Sequence, residues 1–365
     1  MRHAMPLFQT PPRSLCILRL SAIGDCCHAL ALIGAIRRAW PETRITWIVG
    51  TLEASLFSHL PGVEIIPFDK KEGWRGYRKL WQQLKGHRFD ALLHLQAALR
   101  ASIATLGIRA DVKLGFDRSR ASDGQWLFTN HKVPSPTSPH VLDGFLAFAR
   151  ELGVVDPQPS WDLPIAPQDR AWARETLGTK PTLLICAAAS KAFKNWTAEG
   201  YAAVADHAAE RGFQVLLCGG PAQLERDLAH DIQTRCRTQP SNLVGQTRLP
   251  QLLALIAEAS LVISPDTGPA HMATITGTPV IGLYAHHNPE RTGPYHCREW
   301  VVSVYRECIE RETGRPPEQL DWRTRLKDPR AMALIPPARV VDVFDTWLKT
   351  QQDPSAKPNE PSEIT

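Results

Sequence analysis

The chain has 365 residues, 43% of them hydrophobic, a length that suits two domains, each able to bury its own core. Its formal net charge of +5 is small, and the densest basic stretch, DWRTRLKDPR (321–330), alternates with acids; this argues against the Lys/Arg stripe of a nucleic-acid binder and leaves a solvated surface, an anionic substrate or a membrane surface open. The eight cysteines form no C-x-x-C pair, which argues against zinc or an iron–sulfur cluster, and Cys16, Cys186 and Cys218 fall in apolar runs as small hydrophobes, the usage of a reducing compartment.

The N-terminal extension, residues 1–14, lacks the apolar segment of a signal peptide, and no apolar run approaches the ~20 residues that span a bilayer, so a cytoplasmic protein is expected. From residue 15 short apolar runs alternate with helical periodicity. LCILRL (15–20), RITWIVG (44–50), EIIPFD (64–69), FDALLHLQ (89–96) and VKLGF (112–116) read as strands. CCHALALIGAIRRAW (26–40) and WRGYRKLWQQLKG (74–86) read as helices between them. Nearly continuous apolar strands separated by helices predict a parallel sheet covered on both faces.

VVDPQPSWDLPIAPQD (154–169) carries Pro157, Pro159, Pro164 and Pro167 and reads as an interdomain linker. The alternation then restarts, with strands at TLLICAAA (182–189), QVLLCGG (214–220), LVIS (261–264) and PVIGLY (279–284). TAEGYAAVADHAAERG (197–212) sets Tyr201, Val204 and Ala208 on one helical face and stops at Gly212. LPQLLALIAEA (249–259) places Leu249, Leu252, Leu253 and Ile256 at i, i+3, i+4 and i+7, with Pro250 near the first turn. The expected architecture is α/β: two Rossmann-like doubly wound halves, residues 15–153 and 170–349, facing across a cleft. A last helix at 337–349 belongs to the second half or packs back on the first. A polar tail, residues 350–365, is expected to be disordered.

Open parallel sheets bind ligands beyond the carboxyl ends of their strands, so chemistry is sought in the loops that follow strands. SPDTGPAHMATITGTP (264–279) is the most informative of them. Gly268-Pro269 opens a helix whose free N–H groups and positive end suit a phosphate or diphosphate. Thr267 is placed to cap that helix with its hydroxyl, Gly268 lets an anion reach the backbone, and His271 lies in the first turn. The plainer alternative is a capped strand–helix turn with a packed histidine, Asp266 assisting the cap. RLSAIGDCCHAL (19–30) offers Gly24 for a tight turn and Asp25 at a helix start, either as an ordinary N-terminal acid or as a general base.

ASKAFKNW (189–196) puts Ser190, Lys191 and Lys194 on a strand-end loop, where a lysine either neutralises a leaving diphosphate or is simply solvated. FDRSRASD (116–123) supplies Arg118 and Arg120, either a bidentate clamp for acceptor carboxylates or phosphates, or a solvated surface. His286-His287 lacks a nearby third ligand and the chain has no D-x-D, so no metal site is expected.

With these loops in view the chain resembles the bacterial lipopolysaccharide heptosyltransferases over roughly residues 14–350. The likeness rests on LRLSAIGD at the first strand, SKAFKNW opening the second half and SPDTGPAHMATITGTPVIGLY. It is most similar to the first heptosyltransferase of that family, which acts on the Kdo sugar of the inner core. The resemblance implies a GT-B fold, ADP-heptose as donor, a Kdo-lipid A type acceptor, no cofactor, and peripheral contact with the cytoplasmic face of the inner membrane. It implies Asp25 as catalytic base, Lys194 as the diphosphate lysine with Lys191 as the substitute, and Asp266, Thr267, Gly268 and His271 as donor-binding residues. The chain departs from the family where Tyr284-Ala285-His286-His287 replaces the usual Tyr/Phe-Gly-Pro-Thr, and where no proline follows Trp196. Two other readings keep the same halves: another GT-B nucleotide-sugar enzyme, such as a different core transferase or an epimerase, and a non-catalytic nucleotide-binding module. An NAD-dependent oxidoreductase would need a G-x-G-x-x-G fingerprint, which the chain lacks.

Overall fold

The computed structural model describes residues 6–352, in two compact units that divide between Pro164 and Ile165. In the first unit the chain runs β1 (Ser14–Leu18), α1 (Ile23–Ala39), β2 (Arg44–Gly50), α2 (Thr51–Phe57), β3 (Val63–Phe68), α3 (Trp74–Gln83), β4 (Phe89–His94), α4 (Leu99–Ala104), β5 (Ala110–Phe116), β6 (His131–Val133) and α5 (Val141–Leu152). The six strands are parallel, in the order β3-β2-β1-β4-β5-β6. Every residue of β1 is buried, the apolar run Leu15–Leu18 and Ser14 before it, as a strand covered on both faces requires.

Helix α1 is buried almost all round from Cys26 to Ile36, so it belongs inside a layer and not on a surface. The proline-rich segment lies along it. Trp161 Nε1 donates to the Cys27 carbonyl at 3.1 Å and the Ser160 N–H to that of Ala31 at 3.3 Å. Gly34 permits this contact, because a Cβ there would come within 2.0 Å of the Ser160 carbonyl oxygen. The stretch expected as a linker is therefore partly docked on the first unit, and from Pro167 it is already helix.

The second unit runs α6 (Pro167–Leu177), β7 (Thr182–Ile185), α7 (Ala198–Glu210), β8 (Gln214–Leu217), α8 (Gln223–Arg235), β9 (Ser241–Asn242), α9 (Leu249–Glu258), β10 (Leu261–Pro265), α10 (Gly268–Thr276), β11 (Val280–Tyr284), α11 (Pro289–Thr292), β12 (Val302–Ser303), α12 (Tyr305–Thr313) and α13 (Pro337–Gln352). Its parallel sheet has the order β12-β11-β10-β7-β8-β9. Helix α13 packs on α7 through Phe344, whose ring meets that of His207 edge-on at 5.7 Å, and through Asp345, which pairs with His207 and Arg211. It continues to Gln352, past the start expected for the tail; residues 353–365 lie outside the described part.

Each sheet reverses its winding once, between β1 and β4 in the first unit and between β7 and β10 in the second. Loops leaving two adjacent strands at such a point diverge to opposite faces and leave a crevice beyond the carboxyl edge. The loops holding Asp25, Lys194 and Asp266 all start there.

Candidate active site

In the second unit the loop after β7 and the loop after β10 bring their polar residues together. The Asp266 carboxylate accepts a hydrogen bond from His287 Nδ1, with Lys194 Nζ at 3.7 Å and His271 Nε2 at 3.9 Å. A carboxylate only accepts, so His287 Nδ1 carries the proton of that bond. Lys194 Nζ lies 3.4 Å from the same nitrogen. Burial pushes the Asp266 carboxyl up, but hydrogen bonding to His271 and His287 and the charge of Lys194 outweigh it and hold the group well below the usual carboxylate range. Burial also lowers the Lys194 ammonium and the His287 imidazole, against the pull of Asp266 on both.

Helix α10 begins two residues beyond Asp266, with Pro269 in its first turn. Thr267 stands at the N-cap but does not cap. Its hydroxyl lies 2.9 Å from Ser264 Oγ and 3.3 Å from the Pro265 carbonyl oxygen, because the extended backbone at Thr267 turns the side chain back toward β10. The expected side-chain cap is absent, so the first N–H groups of α10 remain available to an anion.

The lysine loop is fixed from beneath. Trp196 is buried and donates to the Ile335 carbonyl at 3.0 Å, while Asn195 Oδ1 accepts from the Ala189 N–H at 2.7 Å. His286 sets its two ring nitrogens against carbonyl oxygens, Phe193 at 2.9 Å and Leu326 at 3.2 Å. Lys194 points into the Asp266 cluster. Lys191 is exposed and its Nζ sits 5.8 Å from the Phe193 ring centroid, and Ser190 is also exposed. The histidine pair, which the sequence offered as a metal pair lacking a third ligand and as a departure from the family pattern, is a strut (His286) and a member of the cluster (His287).

In the first unit Asp25 is the third residue of α1, and Gly24 beside it is helical, not in the tight turn expected. Asp25 forms an ion pair with Arg19, whose Nη1 also donates to the Leu95 carbonyl at 2.6 Å. The arginine side chain is 12% exposed and the aspartate 34%, so a rigid cation aims a half-open carboxylate. Arg19 stands in the LRLSAIGD segment, and nothing in its spacing from Asp25 announced the pairing. The two arginines of the next candidate loop part company. Arg118 is exposed, whereas Arg120 is buried and donates to the Ser138 carbonyl at 3.3 Å; its packing requires Gly144, where a Cβ would meet its Nη1 at 2.2 Å.

Sequence reasoning also passed over a cavity of about 540 Å³ beyond the carboxyl ends of β1, β2 and β3. Leu20, Glu53, Lys70, Lys71 and Arg100 line it. Its lining sets three cations, Lys70, Lys71 and Arg100, against the carboxyls of Glu53 and Asp69, and burial pushes the Glu53 carboxyl up. Among the described residues no group of three or more His, Cys, Asp or Glu is arranged to hold a metal ion, and no helix is long and apolar enough to cross a membrane.

Residues 77–318 match the profile of glycosyltransferase family 9 (heptosyltransferase). The chain belongs to that family. It is 50% identical over 332 residues to the lipopolysaccharide core heptosyltransferase OpsX of Haemophilus influenzae, covering 91% of this chain and 96% of the relative. Among solved structures, the family 9 glycosyltransferase of Veillonella parvula superposes with a TM-score of 0.77 at 21% identity, covering 95% of this chain and 99% of that one. The Escherichia coli heptosyltransferase WaaC with ADP gives 0.65 at 22% identity, covering 80% and 92%. These likenesses support the GT-B assignment, and the chain is a glycosyltransferase of the heptosyltransferase type.

Proposed function

We propose that the chain transfers heptose from ADP-heptose to the Kdo sugar of a Kdo-lipid A type acceptor, with inversion at the anomeric carbon, at the cytoplasmic face of the inner membrane. The observation that carries the donor half is the cluster of Asp266, Lys194, His271 and His287 beside the uncapped N-terminus of α10. The diphosphate lies on the free N–H groups of that helix and on Lys194, and Asp266 with Thr267 and Gly268 meets the sugar and the phosphate nearest it. Ser190 and Lys191 flank this donor site at the entrance of the lysine loop.

Asp25 takes the proton of the acceptor hydroxyl as its oxygen bonds to the anomeric carbon and the bond from that carbon to the diphosphate oxygen breaks. The transition state has oxocarbenium character, as in glycoside hydrolysis, and negative charge grows on the leaving ADP. Lys194 and the helix end stabilise that charge more strongly in the transition state than before it, which is how they accelerate the step. Arg118 and the cations of the cavity near Leu20 receive the acceptor's anionic groups, and Arg120 shapes the loop behind Arg118. Cationic groups already face the diphosphate, so we expect transfer without a divalent ion, at a rate a chelator does not change.

The direct test supplies ADP-heptose and Kdo-lipid A and follows ADP release and the mass of the lipid, with Asp25→Ala as control. A mass gain of one heptose that the variant fails to give supports the proposal. ADP release without that gain, or equal turnover by the variant, refutes it.

A further inference from the structure

Nine large apolar side chains are exposed among the described residues, and five of them, Leu52, Trp74, Leu99, Trp126 and Leu127, fall on one edge of the first unit. They follow successive strands: Leu52 comes after β2, Trp74 after β3, Leu99 after β4, and Trp126 and Leu127 after β5. All four strands are parallel, so all four connections emerge at the carboxyl edge. Single exposed apolar residues are ordinary, but a row of them along one edge is not.

Hydrogen bonds and a shared cavity join this row into one surface. Tyr77 Oη, one turn along from Trp74, donates to the Arg100 carbonyl at 3.1 Å. The Leu99 N–H reaches Asp123 Oδ2 at 3.3 Å, which ties the start of α4 to the turn holding Trp126 and Leu127. Leu52, Lys70, Lys71 and Arg100 share the cavity described above.

Cations are interleaved with the apolar residues. Among the described residues, Lys70, Lys71, Arg75, Arg78 and Arg100 have no carboxylate within ion-pair distance. The acids nearby are engaged: Asp69 accepts from the Lys71 N–H at 2.8 Å, Glu72 pairs with Lys79 at 2.6 Å, and Asp123 holds Leu99. Indole rings with unpaired lysines and arginines suit a membrane interface, where the ring sits at headgroup level and the cation meets lipid phosphate.

We propose that the carboxyl edge of the first unit docks on an anionic phospholipid bilayer, through Trp74, Trp126 and Leu127 inserted among the headgroups and the exposed Arg75 and Arg78 beside Trp74, while Lys70, Lys71 and Arg100 stay with the acceptor. The proposal rests on the lipid-linked acceptor of the preceding section. Asp25 lies at the end of β1, between the β2 and β4 connections, so docking presents the base to a sugar projecting from that bilayer.

The test is flotation of the full chain with vesicles of phosphatidylcholine alone and of phosphatidylcholine with phosphatidylglycerol, without donor or acceptor. The protein floats with the second and not the first, and binding falls at least about tenfold when salt is raised from about 0.1 M to about 0.5 M. Trp74→Ser and Trp126→Ser together with Leu127→Ser weaken flotation, while turnover of a deacylated, water-soluble acceptor is unchanged. Equal flotation with both vesicles, none with either, or full binding by the triple variant overturns the proposal, as does a change of oligomeric state in that variant, which would make the patch a self-interface. Flotation as stated by a protein that transfers no heptose supports the docking surface and strikes the proposed function alone.

Discussion

Asp25 and Asp266 hold corresponding places in the two units. Each lies just beyond the carboxyl end of a strand that flanks the reversal of its sheet, β1 in one case and β10 in the other. Their surroundings differ sharply. Asp25 has Arg19 as its one ion-pair partner among the described residues and keeps 34% of its side chain exposed. Asp266 is 16% exposed, with His287, Lys194 and His271 around it. A carboxylate that must accept a proton needs an open lone pair and one orienting contact. One enclosed by three nitrogen donors is a fixed anion, fit to orient a sugar and its neighbours and unfit to act as a base. On the proposed mechanism, the same position beyond a strand yields a reagent in one unit and part of a scaffold in the other.

The strongest test of this contrast replaces the reagent. Asp25→Asn keeps the shape and removes the proton acceptor, so kcat should fall about 10³-fold. The proposed donor site lies in the second unit, so the Kd of ADP measured by titration calorimetry should not move. A variant that turns over within about tenfold of the wild type would show that the base lies elsewhere.

Lys194→Met comes next. Removal of one preorganised charge contact to a leaving group costs ~3 kcal/mol, roughly 10²-fold in kcat. Lys191→Met should have little effect, since its side chain is exposed and reaches only the Phe193 ring. Equal losses in the two variants would mean that the loop rearranges when donor binds.

His287 sharpens the contrast from the scaffold side. Its Nδ1–H occupies the Asp266 oxygen that Lys194 would otherwise approach, and so leaves the ammonium available for phosphate. His287→Ala should let Lys194 close on Asp266 and lower kcat/KM about tenfold, the equivalent of ~1.4 kcal/mol. His287→Asn, whose amide N–H can replace Nδ1–H, should recover most of it. Stability carries a second signature. Burial lowers the His287 imidazole in the folded chain, so its contribution is complete above the ordinary histidine value of about 6.5 and is lost as pH falls below it. The wild type should therefore lose more Tm than His287→Asn between about pH 7 and about pH 5.

Much of this was legible in the sequence because burial on both faces keeps strands such as RITWIVG nearly continuously apolar after the exposed Arg44, and that run became β2 with its expected ends. Helices whose exposed face outweighs their apolar one left no comparable trace. α8, with only Ala229 and Ile232 buried, and α12, with Tyr305, Cys308 and Ile309, have too few apolar positions for periodicity to stand out. At the site, residue type and place on a strand-end loop pointed to Asp25, Lys194 and the 266–271 segment. Partnerships across long separations did not show: His287 lies 21 residues from Asp266 and 93 from Lys194, and only the fold makes them neighbours. Direction was hidden too, since Arg118 and Arg120 read alike and one is exposed while the other is buried.

The smallest expected effect concerns Thr267. A threonine that caps a helix is worth ~1 kcal/mol, and its loss would lower Tm measurably. Here the hydroxyl bonds back to Ser264 and the Pro265 carbonyl, and Ser264 Oγ keeps that same carbonyl as a partner at 3.1 Å once the threonine hydroxyl is gone. Thr267→Ala should therefore leave the buried serine satisfied and the ends of α10 as they were, with a stability change under about 0.5 kcal/mol. ADP affinity should hold as well, because the N–H groups proposed to bind the anion belong to the backbone. If Thr267→Ala instead loses a full cap's worth of Tm, the hydroxyl caps α10 in solution and competes with the phosphate for the same N–H groups. The second unit would then have to be loosened by its ligand, and the contrast between an open carboxylate in the first unit and a cluster closed in advance in the second would weaken accordingly.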